Sequence, residues 1–263
     1  MTGLRGEDLR LAYGDRIVAD GLDLRLPAGR ISVLVGPNAC GKSTALRALA
    51  RLLVPDRGAV YLGADPIGGL TGRDLARRLA LLPQSPGAPD GITVRDLVSR
   101  GRTPHQRWWR QWSREDEGAV DDALAATGTG ELAERVLDEL SGGQRQRVWI
   151  AMALAQDTPV LLLDEPTTFL DLAYQVDVLE LVRELNRRRG TTVVMVLHDL
   201  NQASRYADQL VAMRAGTVVA AGPPVDVVTP GLVRAVFDLD CRIIPCPVAG
   251  TPIVVPEGRR GRT

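Results

Sequence analysis

Apolar and polar positions along the chain follow two periods in turn. Residues 31–35 are a short apolar run with β-branched members that ends at Gly36-Pro37, which predicts a buried strand. Residues 42–53 then carry Leu46, Leu49 and Leu53 at helical spacing, which predicts a helix. Residues 160–163 and 191–197 read as two further buried strands. Between them, a long helix is expected to begin at Asp171, with Leu172, Val176, Leu179 and Val182 on one face. Arg187, Arg188 and Arg189 followed by Gly190 suit its C-terminus, where cations meet the helix dipole and glycine accepts the left-handed cap. Strands alternating with helices imply a parallel α/β sheet. Residues 92–140 break that rhythm: helices follow one another with no convincing strand, so a helical insertion is expected there. From Pro223 onward a Pro- and Val-rich stretch reads as a small appended element, and residues 257–263 are polar and expected to fray.

Composition narrows the classes. Of 263 residues, 45% are apolar and 24% charged, which excludes a disordered chain. Three cysteines are too few, and odd in number, for a disulfide scaffold. Runs such as Val193 to Leu197 fall far short of the roughly 20 apolar residues that cross a bilayer. The opening MTGLRGEDLR has no apolar core, so no signal peptide is expected. Basic and acidic residues balance at 32 each, so no global field favours nucleic acid or an anionic membrane. Among those basic residues Lys42 is the single lysine.

Lys42 lies in Gly36-Pro37-Asn38-Ala39-Cys40-Gly41-Lys42-Ser43-Thr44, which fits Gly-x4-Gly-Lys-Ser/Thr between a predicted strand and a predicted helix. Such a loop curls backbone N–H groups around phosphates, and the helix N-terminus adds partial positive charge. Lys42 would bridge the β- and γ-phosphates and Ser43 would ligate Mg²⁺. A planar, bulky guanidinium fits this tight loop poorly, which accounts for lysine at this one place. The apolar strand from Val160 ends in Asp164-Glu165. Beside a phosphate loop, Asp164 suits the surroundings of Mg²⁺ and Glu165 the attacking water. Cys40 reads as a small side chain filling the turn, with redox sensing as the other reading.

Leu140-Ser141-Gly142-Gly143-Gln144 then resembles the signature of ABC-type ATPases. The resemblance covers nearly the whole chain. It implies an ABC-type P-loop ATPase core with a parallel sheet, an N-terminal antiparallel β subdomain and an inserted helical subdomain. The expected division of this single domain is 1–91 and 157–240 for the ATP-binding core, 92–156 for the helical signature subdomain and 241–263 for a short tail. Tyr13 resembles the aromatic that stacks on adenine. Gln84, in Leu-Leu-Pro-Gln, resembles the glutamine that touches Mg²⁺ and senses the membrane partner. Asp171 resembles the D-loop aspartate, and His198, in Val-Leu-His-Asp, the histidine that contacts the γ-phosphate. ATP and Mg²⁺ are the implied cofactors.

Independently of the resemblance, Ser141 is a good N-cap, and Gly142-Gly143 opens N–H groups at a second helix start. The family joins the two anion-binding ends by pairing two copies head to tail, with ATP between the phosphate loop of one and the Ser141 helix of the other. The Gly101-Arg-Thr-Pro-His-Gln segment, the stretch from Trp108 to Asp116 and the tail with Thr229-Pro230 and Gly250-Thr251-Pro252 resemble ferric-siderophore and vitamin B12 importer ATPases. That implies ferric-siderophore import through a separate integral membrane permease, with an extracytoplasmic binding protein delivering substrate. The subunit would be peripheral, on the cytoplasmic face of the plasma membrane. Haem or cobalamin import, an exporter subunit and a non-transport regulatory ABC ATPase are the alternatives.

Trp108, Trp109 and Trp112 alternate with Arg107, Arg110 and Arg114. The cluster admits an amphipathic helix, a patch near lipid headgroups or a single-stranded nucleic-acid contact; the last is disfavoured, and no nucleic-acid partner is expected. His105 reads as a surface or partner-contact residue. Cys241 and Cys246 read as packing residues.

Overall fold

The computed structural model describes residues 2–106, 112–168 and 170–257. Trp108 and Trp109, and with them the Trp-Arg cluster, lie outside the described residues, as do residues 258–263 of the expected frayed end. The chain divides into two compact units, Met1–Gly69 with Thr192–Thr263, and Leu70–Thr191.

The first unit opens with β1 (Leu4–Tyr13) and β2 (Arg16–Leu26), paired antiparallel from Leu4↔Leu26 to Tyr13↔Arg16. Leu4, Leu9 and Leu11 face inward with Leu22, Leu24 and Leu26, so one face of this ribbon is core. Next come β3 (Ile31–Val35), α1 (Lys42–Leu49), β4 (Arg57–Leu62), antiparallel to β1, and the short β5 (Asp65–Pro66). Helix α1 stops a turn earlier than its leucines suggest. The Arg47 carbonyl accepts the N–H groups of both Leu52 and Leu53, and Arg51 turns left-handed at φ 58°, so the chain leaves the helix axis before Leu53.

The second unit holds α2 (Gly72–Ala76), β6 (Leu79–Leu82), α3 (Val94–Ser99), α4 (Arg114–Ala126), α5 (Gly142–Ala155), β7 (Val160–Asp164) and α6 (Leu172–Arg189). Strands β6 and β7 run parallel, Leu79↔Val160 to Leu82↔Leu163. The helical stretch is present, with a single antiparallel bridge, Thr93↔Val136, as its only strand-like pairing outside named strands among the described residues. Val94, Leu97 and Val98 of α3, Val120 and Leu124 of α4, and Val148 and Ile150 of α5 are all buried. Helix α6 starts at its Asp171 cap and ends at Gly190 with φ 64°, as the sequence suggests. Its buried stripe is Val178, Leu179, Val182 and Leu185, whereas Leu172 is 72% exposed. Periodicity places a residue on a stripe whether or not anything lies beneath it.

Within the helical stretch, the Arg102 guanidinium donates through Nε to Asp116 Oδ1 (2.9 Å) and through Nη1 to the Ala155 carbonyl (2.9 Å). Arg102 is 2% exposed and Asp116 5%. Asp116 also closes the capping box of α4 with Ser113. Burial pushes the Asp116 carboxyl up, but the Ser113 hydroxyl and the Arg102 guanidinium outweigh burial and hold it below the usual carboxylate range. Its stabilisation is therefore complete above the unfolded value near about 4 and is lost as pH falls through the lower folded value. Arg102→Met strands the carboxylate in the interior and is expected to cost about 3–5 kcal/mol, read from urea unfolding at pH 7. The difference should shrink once Asp116 is protonated in both proteins.

His105 is half-buried and tied to the same framework. Its backbone N–H donates to the Arg102 carbonyl (2.8 Å) and its Nε2 lies 2.8 Å from the Gln156 carbonyl. A carbonyl can only accept, so that contact places the proton on Nε2.

The first unit resumes with β8 (Thr192–Val196), α7 (Leu200–Tyr206), β9 (Gln209–Arg214), β10 (Thr217–Gly222), α8 (Pro224–Val227), α9 (Pro230–Phe237), β11 (Cys241–Pro245) and β12 (Pro252–Pro256). Here β3 lies between β8 and β9, parallel to both, and β10 returns antiparallel to β9. All residues of β3 and β8 are buried, as parallel strands require. The appended element is the β11–β12 hairpin, with Val254 held to Asn201 of α7 by hydrogen bonds at 2.7 and 3.3 Å. Glu257 does not fray: its N–H reaches the Asp240 carbonyl and its carboxylate pairs with Arg242. The three cysteines are free thiols, Cys40 and Cys241 buried and Cys246 half-buried. No helix among the described residues is long and apolar enough to cross a membrane.

Candidate functional site

In the first unit, the glycine-rich loop leaves the end of β3 and closes onto α1. Gly36 sits at φ 153°, and a Cβ there would lie 2.2 Å from the Met213 carbonyl oxygen and 2.8 Å from Cys40 Sγ, so only glycine fits. Ala39 (φ 59°) and Gly41 (φ 106°) turn the chain through left-handed conformations. Gly41 caps α1 and offers no side chain of its own to the helix's first N–H groups. These are the groups that an anion accepts. Lys42 opens α1 and is nearly buried. Its Nζ donates to the carbonyls of Gly36 and Pro37, both at 2.9 Å. The ammonium is thus held inside the curl, where a compact point charge fits and a planar fork does not. Cys40 fills the turn at 4% exposure, its Sγ 3.9 Å from Nζ.

Strands β3 and β8 are parallel neighbours, with Leu34 beside Val196. The phosphate loop and His198 therefore emerge from the same edge, the carboxyl ends of the strands where open α/β sheets bind ligands. His198 is exposed there, and Asp199 beside it caps α7 by accepting the N–H groups of Asn201 and Gln202. Tyr13 ends β1 and is 44% exposed, and Arg47 of α1 donates to its hydroxyl (3.4 Å).

The second unit repeats this logic. Strands β6 and β7 are parallel neighbours, so Gln84 and the Asp164-Glu165 pair leave the same edge. Asp164 is buried at the end of β7. Glu165 takes a left-handed turn at φ 55°, unusual for a residue with a side chain. Its Oε2 accepts from Gln84 Nε2 (2.6 Å) and from Thr168 Oγ1 (3.1 Å). Two donors thus fix the orientation of this carboxylate.

Ser141 and Gln144 close a reciprocal capping box at the start of α5: Ser141 Oγ accepts the Gln144 N–H (3.3 Å), and Gln144 Oε1 accepts the Ser141 N–H (3.1 Å). Among the described residues, a Cβ on Gly142 would meet nothing within 4 Å. Asp171 caps α6, its Oδ1 accepting the Tyr174 N–H (3.1 Å). Thr168 and Gln146, whose Nε2 donates to the Pro166 carbonyl (2.9 Å), brace this region without any motif having marked them. Thr168, three residues after Glu165, carries a local signal; Gln146 carries none.

A buried ammonium inside a glycine-rich strand–loop–helix, with paired acids ending a second apolar strand, defines an ATP-hydrolysing P-loop protein. The family model described as "ABC transporter" matches residues 19–168, more than half of the chain, and the chain belongs to that family. It is 56% identical to the achromobactin transport ATP-binding protein of Dickeya dadantii, over 98% of this chain and 96% of that one. It is 53% identical to the ferric enterobactin transport ATP-binding protein of Escherichia coli, over 97% and 94%. Among solved structures, a dimeric bacterial ABC transporter cassette superposes with a TM-score of 0.75 at 27% identity, covering 84% of this chain and 98% of the other.

Proposed function

We propose that this chain is the ATP-hydrolysing subunit of a bacterial importer that brings in ferric siderophores through a separate membrane permease. The observation that carries this reading is identity above one half, along nearly the whole chain, to ATP-binding proteins named for siderophore transport. Two copies would pair head to tail at the cytoplasmic face of the membrane; the superposed bacterial cassette is itself dimeric. An extracytoplasmic binding protein would deliver the substrate to the permease. Residues 92–156 would act as the helical signature subdomain, 1–91 and 157–240 as the ATP-binding core, and 241–263 as the tail.

In this reading Lys42, with the amides from Gly36 through Thr44, takes the β- and γ-phosphates, and Tyr13 stacks on adenine. Glu165 accepts the proton of the attacking water, with Gln84 and Thr168 steering its carboxylate. His198 touches the γ-phosphate. Ser141, Gly142, Gly143, Gln144 and Asp171 serve the nucleotide of the paired copy. The residues proposed for Mg²⁺ are Ser43, Gln84 and Asp164, a hydroxyl, an amide and a carboxylate. That all-oxygen set would suit a hard divalent cation. Bound there, the ion would neutralise charge on the phosphate oxygens.

The test is radio-iron uptake from several ferric siderophores in cells lacking the native gene. Wild type should restore uptake of one siderophore class, and Glu165→Gln at equal expression should restore none. A wild type that hydrolyses ATP when purified yet restores no siderophore uptake would remove the substrate assignment and bring haem or cobalamin import forward.

A further inference from the structure

The second glycine of the signature has a neighbour that the motif does not mention. A Cβ built on Gly143 would lie 3.0 Å from both Cγ and Cδ2 of Tyr174 and 3.3 Å from Cε2, flat against the ring. A Cβ on Gly142, one residue earlier, would meet no atom of the described residues within 4 Å. The two glycines therefore answer to different demands: the first is free space, the second a close approach between helix backbone and an aromatic face.

Tyr174 touches both caps of the region. Its own N–H donates to Asp171 Oδ1, the cap of α6, and its ring carries the start of α5. Arg147, one helical turn after Gly143, places its guanidinium over the same ring at 5.5 Å. Arg147 Nε is buried with no hydrogen-bond partner among the described residues. A second tie, Gln146 Nε2 to the Pro166 carbonyl, joins α5 to the segment just after Glu165. All of these residues lie in the second unit.

We propose that Tyr174 is a positioning residue: its ring sets the placement of the signature helix start relative to the Asp171 cap, and Gly143 is glycine because that ring occupies the space of its side chain. The proposal rests on the reading of Ser141-Gly142-Gly143 as nucleotide-contacting. An added methyl at Gly143 must displace the ring or the helix by a few tenths of an ångström, and catalytic constellations lose rate steeply on such shifts.

The test is a double-mutant cycle on the purified full chain, with kcat, KM for ATP and the Hill coefficient measured well below the unfolding temperature of every variant. Gly143→Ala is expected to lower kcat at least about tenfold. In a Tyr174→Ala background the same substitution should cost at least about threefold less in kcat than it does in wild type, because the methyl then has room. Tyr174→Phe should keep wild-type kcat, since the ring and not the hydroxyl does the positioning. Tyr174→Leu, close to the native volume, gives a second background if the alanine variant folds poorly. Equal losses from Gly143→Ala in both backgrounds would overturn the proposal, as would a Tyr174→Phe as impaired as Tyr174→Ala. A wild type without ATP turnover would instead overturn the reading of the site on which it rests.

Discussion

Glu165→Gln is expected to bind ATP with wild-type affinity and to hydrolyse it at least about 100-fold more slowly. The substitution keeps the shape of the side chain. A glutamine carbonyl oxygen can still accept from Gln84 Nε2 and Thr168 Oγ1, which now hold Glu165 Oε2 at 2.6 and 3.1 Å. What it loses is the capacity to take a proton. Glu165 is 9% exposed and turned at φ 55° on the end of a fully buried strand, so no other position of the side chain is easily reached. Single-turnover phosphate release measures the rate, and equilibrium binding of a fluorescent ATP analogue measures affinity. ATP-dependent dimers of the variant should accumulate on size exclusion, because bound nucleotide would hold two copies together until it is hydrolysed. Equal hydrolysis rates for variant and wild type would remove Glu165 from the chemistry.

Lys42→Ala is expected to lower turnover by at least about 100-fold and to weaken nucleotide binding with it. Two losses combine. The phosphates lose a cation, and the loop loses the donor that ties the carbonyls of Gly36 and Pro37 together at 2.9 Å each. Unlike Glu165→Gln, this variant should fail in binding as well as chemistry, so the pair separates the two functions in one assay series. Lys42→Arg keeps the charge but should recover little, because the guanidinium is larger and planar while the site is a tight curl closed by Cys40 and Met213. Near wild-type turnover in Lys42→Arg would show that charge alone is required there.

The features that were legible in advance share one property: each is settled by a few neighbouring residues. The glycine spacing from Gly36 to Lys42 demands backbone turns that other residues resist, and φ values of 153° and 106° at Gly36 and Gly41 meet that demand. Ser141 with Gln144 is a capping box readable from four letters, and Asp171 and Gly190 bracket α6 by the ordinary chemistry of helix ends. Local reading failed at Leu172, where the period of a helix was taken to imply a covered face, and at Leu53, where it was taken to carry the helix past Arg51. It also gave no hint of the acceptor of His105, the Gln156 carbonyl 51 residues away.

The sequence by itself determined the strands buried on both faces, the phosphate loop, the helix caps and the choice of lysine at position 42, because all of these follow from short-range sterics, hydrogen bonding and charge. Tertiary structure alone decided which of these pieces touch. Gln84 reaches Glu165 across 81 residues because β6 and β7 pair in parallel register, and His198 shares an edge with the phosphate loop because β8 lies beside β3. Arg102 finds Asp116 and Ala155, and the Tyr174 ring lies against Gly143, only once the helices have packed. Strand order and helix packing bring together residues far apart along the chain, and no spacing or period within a short window carries that information.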